Sequence, residues 1–143
     1  MVIVAAISGS DQSTAIAAQA DELARAFDDE LHLVHVIEET EYTRLVEKRS
    51  SVRETGSEGS IEDDAAAAAA EGIDEALDAD YEVVGRVGTP RKKVVEYADE
   101  IDARYVVVGG RARSPTGKAL FGSVTQSILL NTERPVVTVM EAE

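Results

Sequence analysis

Apolar residues arrive along this chain in short runs, and between the runs they recur at a helical period. Val2-Ile3-Val4-Ala5-Ala6-Ile7 is continuous and stops at Ser8-Gly9-Ser10, the pattern of a buried strand followed by a turn. From Ser13 to Phe27 the apolar positions Ile16, Ala20, Leu23, Ala24 and Phe27 are three or four apart and form one helical face, with Ser10 or Asp11 as the cap. Leu31 to Ile37 reads as the second strand. In residues 38–60, Tyr42, Leu45 and Val46 predict only a short helix, and Ser50-Ser51 with Gly56 to Ser60 predicts a mobile surface loop. Ile61 to Leu77 reads as one helix built on the alanines at 65–70, weakened at Gly72.

Tyr81 to Gly88 is the third predicted strand. Thr89 stands as N-cap and Pro90 at the first helical position, so a helix runs on to about Ala103. Tyr105-Val106-Val107-Val108 is a strand apolar on both faces, as a central parallel strand must be. Gly109 to Phe121 reads as a long polar loop, followed by a helix from about Ser123 to Leu130 and a last strand from Pro135 to Met140. Alternation of this kind predicts an α/β fold, an open parallel five-stranded sheet in three layers with helices on both faces. Residues 1–143 read as a single domain without repeats.

Composition narrows the function. The chain has 143 residues, 44% hydrophobic and 29% charged, with a formal net charge of −14 and no cysteine. That balance argues against generic binding to nucleic acid or anionic membrane, and it removes disulfides, zinc-thiolate sites and thiol nucleophiles. No apolar run approaches the roughly 20 residues of a membrane span, and the N-terminal segment lacks the basic flank of a secretory signal, so the expected location is the cytoplasm. Ten arginines against four lysines, with 28 acids, point to a halophile's salty cytoplasm or to an ordinary acidic surface.

One stretch departs from the acidic background. Residues 103–132 contain no Asp or Glu but hold Arg104, Arg111, Arg113 and Lys118, which reads as a site cleared for an anion. Within it, Gly122-Ser123 opens a helix whose free N–H groups and dipole favour phosphate, with Ser123 or Thr125 as added hydroxyl donors and Ser123 also as a plain N-cap. The turns at Ser8-Gly9-Ser10 and Gly109-Gly110 fall where ligands bind open parallel sheets, outside the carboxyl ends of the strands.

The spacing Gly109-Gly110-Arg111-Ala112, nine residues, then Gly122-Ser123 resembles the G-x2-G-x9-G-[ST] loop of universal stress proteins of the UspA-like type. Val4 to Ser10, Leu33-Val34-His35-Val36, Gly85 to Pro90 and Arg134-Pro135-Val136-Val137 resemble that family's other elements. The resemblance implies strand order 3-2-1-4-5 and ATP or another adenine nucleotide, with or without Mg, between the first and fourth strands. Ala6, Ser8, Val36 and Val108 would meet adenine and ribose. Gly109, Arg111, Ala112, Gly122, Ser123 and Val124 would meet the phosphates. Two positions depart from the family: Ser8 stands for its acidic residue and Ala112 for its second loop glycine.

The function so implied is a nucleotide-binding module of stress response or signalling rather than an enzyme. A ligand-free homodimeric scaffold and a slow ATP hydrolase are the alternatives. Val136 to Met140 reads as a sheet edge and predicts a homodimer paired through this strand. No catalytic or metal-binding residue is assigned. Ala112-x4-Gly117-Lys118-Ala119 mimics a P-loop but lacks its first glycine and its Mg-holding hydroxyl. His32 and His35 face opposite sides of a strand and cannot share a metal, with His35 expected packed and His32 at the surface. Asp28-Asp29-Glu30, Glu38-Glu39 and Arg91-Lys92-Lys93 read as solvated surface.

Overall fold

A computed structural model describes residues 1–52, 60–110 and 121–140. The elements are β1 (Val2–Ala6), α1 (Asp11–Phe27), β2 (Glu30–Ile37), α2 (Glu39–Val52), α3 (Ile61–Ala69), a single 3-10 turn (Asp74–Ala76), β3 (Tyr81–Val87), α4 (Pro90–Glu100), β4 (Ala103–Gly110), α5 (Ser123–Asn131) and β5 (Val136–Met140). The five strands form one parallel sheet in the order β3-β2-β1-β4-β5.

Strand alternation divides the core in two. Ile3, Ala5, Leu31, Leu33 and Val107 pack on one face with Ile16, Ala17, Ala20 and Ala24 of α1. Val4, Val34, Val106 and Val108 pack on the other with Val94, Tyr97 and Ala98 of α4 and Ile128 of α5. The consecutive valines of β4 are buried on both faces, which is why that segment lacks a polar alternation. Asp21 is buried as well. Its carboxylate accepts from the backbone N–H of Asp78 (3.1 Å) and Ala79 (2.7 Å) and from Arg25 Nε (3.0 Å), anchoring the turn before β3 to α1.

Several boundaries move. The helix expected over 61–77 ends at Ala69, because Gly72 adopts φ +84° and turns the chain into the 3-10 segment. The short helix expected near Tyr42 is a 14-residue helix, tied to α3 by the Arg49–Asp64 ion pair. Ser50 and Ser51 belong to that helix rather than to a loop, whereas residues 56–59 lie outside the described residues. The fourth strand begins at Ala103 and extends through Gly109 and Gly110, which pair with Val139 and Met140, so these glycines are strand residues and not a loop start.

The acidic run at 28–30 is not all solvated. The Asp29 side chain is 2% exposed and accepts from Arg104 Nε at 2.6 Å, because both residues lie at the amino ends of their strands. Arg104 is therefore at the opposite end of the sheet from the expected anion site and does not contribute to it.

Candidate functional site

A cavity of about 260 Å³ opens at the carboxyl ends of β1, β2 and β4. Six of the expected site residues line it: Ala6, Ser8, Val36, Val108, Gly109 and Val124. The sheet supplies Ala6, Val36, Val108 and Gly109, the turn after β1 supplies Ser8 and α5 supplies Val124, and Pro90 and Val94 of α4 close a side. Gly122 and Ser123 stand beside it at the start of α5, with Gly122 as the N-cap (φ −69°, ψ 163°) in place of the serine. Among the described residues no side-chain cap bond is made at this helix start. Toward the described residues the N–H groups of its first turn keep their donor capacity, and the helix dipole adds positive potential there. Arg111 and Ala112, with Arg113, Lys118 and the P-loop mimic, lie outside the described residues.

The polar lining includes Gln12 and His35, neither of which the sequence reading placed at the site. Gln12 reaches from the first turn of α1 across β4, donating through Nε2 to the carbonyls of Gly110 (2.6 Å) and Val139 (3.1 Å). Its hydrophilic position at the start of an apolar-faced helix was the one available signal. Thr125, expected as a donor to phosphate, instead donates its hydroxyl to the Gly109 carbonyl at 2.8 Å. Ser13, 1% exposed, accepts the N–H groups of Ser8 (3.0 Å) and Gly9 (3.1 Å), so these two amides of the turn after β1 are already engaged. The Ser8 hydroxyl pairs with that of Ser10 at 3.1 Å.

The histidines exchange the roles expected of them. His32 is the packed one, 7% exposed beneath α4, with Nδ1 2.6 Å from the Tyr97 hydroxyl. His35 is half-buried at the cavity, with Nδ1 2.9 Å from the Ile7 carbonyl. The reversal follows from which face α4 covers: His32 shares Val34's side of β2, over which Tyr97 lies. Among the described residues no cluster of three His, Cys, Asp or Glu is arranged to hold a metal, and no helix is long and apolar enough to cross a membrane.

The model of the Universal stress protein family matches residues 1–140. A universal stress protein of Mycolicibacterium smegmatis is 49% identical over 41 residues, a stretch that covers 29% of this chain and 32% of that protein. Among solved structures, a universal stress protein from Archaeoglobus fulgidus superposes with a TM-score of 0.66 at 28% identity, covering 96% of this chain and 97% of the other. A universal stress protein in complex with cAMP gives 0.66 at 22% identity, covering 98% and 96%. One from Archaeoglobus fulgidus in complex with dAMP gives 0.58 at 23% identity, covering 96% of each. With its sheet order, its helices on both faces and a family match over nearly its whole length, the chain belongs to the Universal stress protein family.

Proposed function

We propose that this protein binds an adenine nucleotide, ATP in the first instance, and serves in stress response or signalling as a binding module without turnover. The observation that carries the reading is the adjacency of an apolar cavity and the uncapped start of α5. Base and sugar enter the cavity between Ala6, Val36 and Val108, while the phosphates lie on the first-turn N–H groups from Ser123 onward and on the segment holding Arg111 and Ala112. The size supports this division. About 260 Å³ is below the roughly 300–1,000 Å³ of pockets that enclose a whole ligand, so the phosphates extend outside. Family members in complex with cAMP and dAMP support the class of ligand. Any Mg would ride on the phosphates, because the described lining contains no carboxylate.

Ser123→Asp tests the reading. The side chain is exposed, so the fold tolerates the change, while a carboxylate set against phosphate is expected to lower ATP affinity by at least tenfold in calorimetric titration. Unchanged affinity removes α5 from the site.

A ligand-free scaffold is favoured by one observation: the missing side chains of Gly109 and Gly110 are accounted for within the chain, by Gln12 and by Thr138 with Met140. Nucleotide absorbance and mass in protein purified without added ligand separate the two readings. In both, β5 is the sheet edge, with all five residues only partly buried, and we propose a homodimer paired through Val136 to Met140. A monomer by light scattering at micromolar concentration refutes it. The cytoplasm remains the proposed location.

A further inference from the structure

We infer that His35 is a specificity-determining residue of the nucleotide site, holding an unprotonated Nε2 as acceptor for an amino or hydroxyl group of the bound nucleoside. The inference rests on the nucleotide reading above and deepens it. Its basis is where the hydrogens of the cavity's polar side chains must go. A carbonyl oxygen only accepts. The His35 Nδ1 lies 2.9 Å from the Ile7 carbonyl, so in the neutral ring Nδ1 carries the proton and Nε2 does not. Gln12 gives its amide hydrogens to the carbonyls of Gly110 and Val139, which orients its Oε1 as an acceptor. Thr125 gives its hydroxyl hydrogen to Gly109 and keeps only lone pairs. Ser13 engages the N–H groups of Ser8 and Gly9.

The described side chains of this cavity therefore meet a ligand chiefly with acceptors. Donors sit outside it, on the first turn of α5. The two ends of a nucleotide differ in the same sense: phosphates are acceptors, whereas the purine amine and the ribose hydroxyls are donors. The cavity thus orients the ligand with its nucleoside end inward, and it disfavours a 6-oxo purine, which would set a carbonyl against lone pairs. His35 is the one titratable side chain among the described residues lining the cavity, which has no Asp, Glu, Lys or Arg there. Around it, the turn after β1 presents the Ile7 carbonyl and α1 presents Gln12 and Ile16. On β3 its partner is Gly85, against which the backbone of Glu62 on α3 packs. Glu38 and Glu39 follow at the exit of β2 and line the neighbouring crevice.

The test compares AMP with IMP, and AMP with its 2′,3′-dideoxy analogue, by calorimetric titration near pH 8. Within each pair the phosphate is identical, so it cancels in the affinity ratio. The first pair reads the amine and the second the ribose hydroxyls. The expected result is a preference of about tenfold for AMP in at least one pair. His35→Asn keeps a nitrogen at the reach of Nδ1 and removes Nε2, so it abolishes the preference. His35→Gln restores an acceptor at that reach, so it keeps the preference. Should the Asn variant fail to fold, the wild-type ratios and the Gln variant decide. Equal affinities in both pairs, or a preference indifferent to His35→Asn, overturn the inference while AMP binding upholds the nucleotide reading. Absence of binding to every nucleotide overturns both.

Discussion

The carboxamide of Gln12 stands where a side chain at Gly109 would have to go. A Cβ on residue 109 would lie 2.6 Å from Gln12 Cδ and 2.7 Å from its Oε1. The same amide ties the ends of β4 and β5 together through the carbonyls of Gly110 and Val139. Because 109 is a strand position with no positive φ, the obstacle to a larger residue is this side chain and not the backbone. Gly109→Ala is expected to cost about 1–3 kcal/mol in urea unfolding. In a Gln12→Ser background the same substitution is expected to cost measurably less, since the shorter side chain withdraws from the space. An equal cost in both backgrounds would move the obstacle elsewhere.

Tyr97 supplies the hydrogen bond that lets His32 lie buried. Burial is the main cause that holds the phenol above its ordinary pKa, so the hydroxyl stays protonated and donates to Nδ1 at 2.6 Å. That leaves Nε2 to carry the ring proton, facing Glu30 and Glu82, each with an oxygen 3.5 Å away. Arg86 lies over the same phenol ring, its Cζ 5.1 Å from the centroid. Tyr97→Phe keeps the ring and the arginine contact but strands Nδ1 in an apolar layer. The expected loss is about 1–2 kcal/mol by chemical denaturation at pH 7.5. A neutral result would mean that water reaches Nδ1.

Asp29 gives the fold an acid-sensitive joint. The hydrogen bond from Arg104 is the largest cause lowering its carboxyl pKa, and the N-terminal ammonium 3.2 Å away lowers it further. A carboxyl whose folded pKa lies below its unfolded one stabilises the fold above the unfolded value, and this stabilisation is lost as pH falls through the folded value. The window therefore opens near the ordinary value of 3.8 and extends downward. Arg104→Gln is expected to lower Tm near pH 6, and the gap to wild type is expected to narrow below about pH 3. A gap that stays constant with pH would assign the loss to the Arg104 contact over the Phe27 ring, 4.4 Å from its centroid, instead of to the charge pair.

Much of the fold was legible because apolar runs and helical stripes are local signals. The run at 2–7, the stripe from Ile16 to Phe27 and the Thr89-Pro90 start each report on their own neighbourhood. What was illegible depends on partners far along the chain. The two histidines look alike in sequence, and only the placement of Tyr97, 65 residues beyond His32, decides which is buried. Arg104 counts as a free cation until Asp29, 75 residues earlier, is seen beside it. Gly109 and Gly110 read as a loop because glycine is a turn signal, yet β5 pairs with them and extends the strand. The cavity residues Ala6, Ser8, Val36, Val108 and Val124 were reachable through the family's motif spacing. Gln12 belongs to no motif element, and His35, although inside the Leu33 to Val36 element, reads in sequence as a packed residue.

The charge of the whole molecule sets the last expectation. A formal charge of −14 spreads over a chain of 143 residues, and many of its acids, Glu30, Glu82 and Asp102 among them, keep most of their side chains in solvent. Exposed pairs such as Arg44–Glu41 and Lys92–Glu96, with nitrogen and oxygen 3.9 and 4.0 Å apart, are weak in water and weaken further in salt. Repulsion among the unmatched acids is screened by the same salt. Between about 0.1 M and 1 M the Debye length contracts from roughly 10 to 3 Å, which is shorter than most separations between surface acids and comparable to those within ion pairs. Screening therefore removes more repulsion than attraction, and Tm is expected to rise steadily across that range in NaCl by calorimetry. A Tm that falls or holds level would show that the ion pairs outweigh the excess negative charge, and would leave an ordinary acidic surface as the account of this composition.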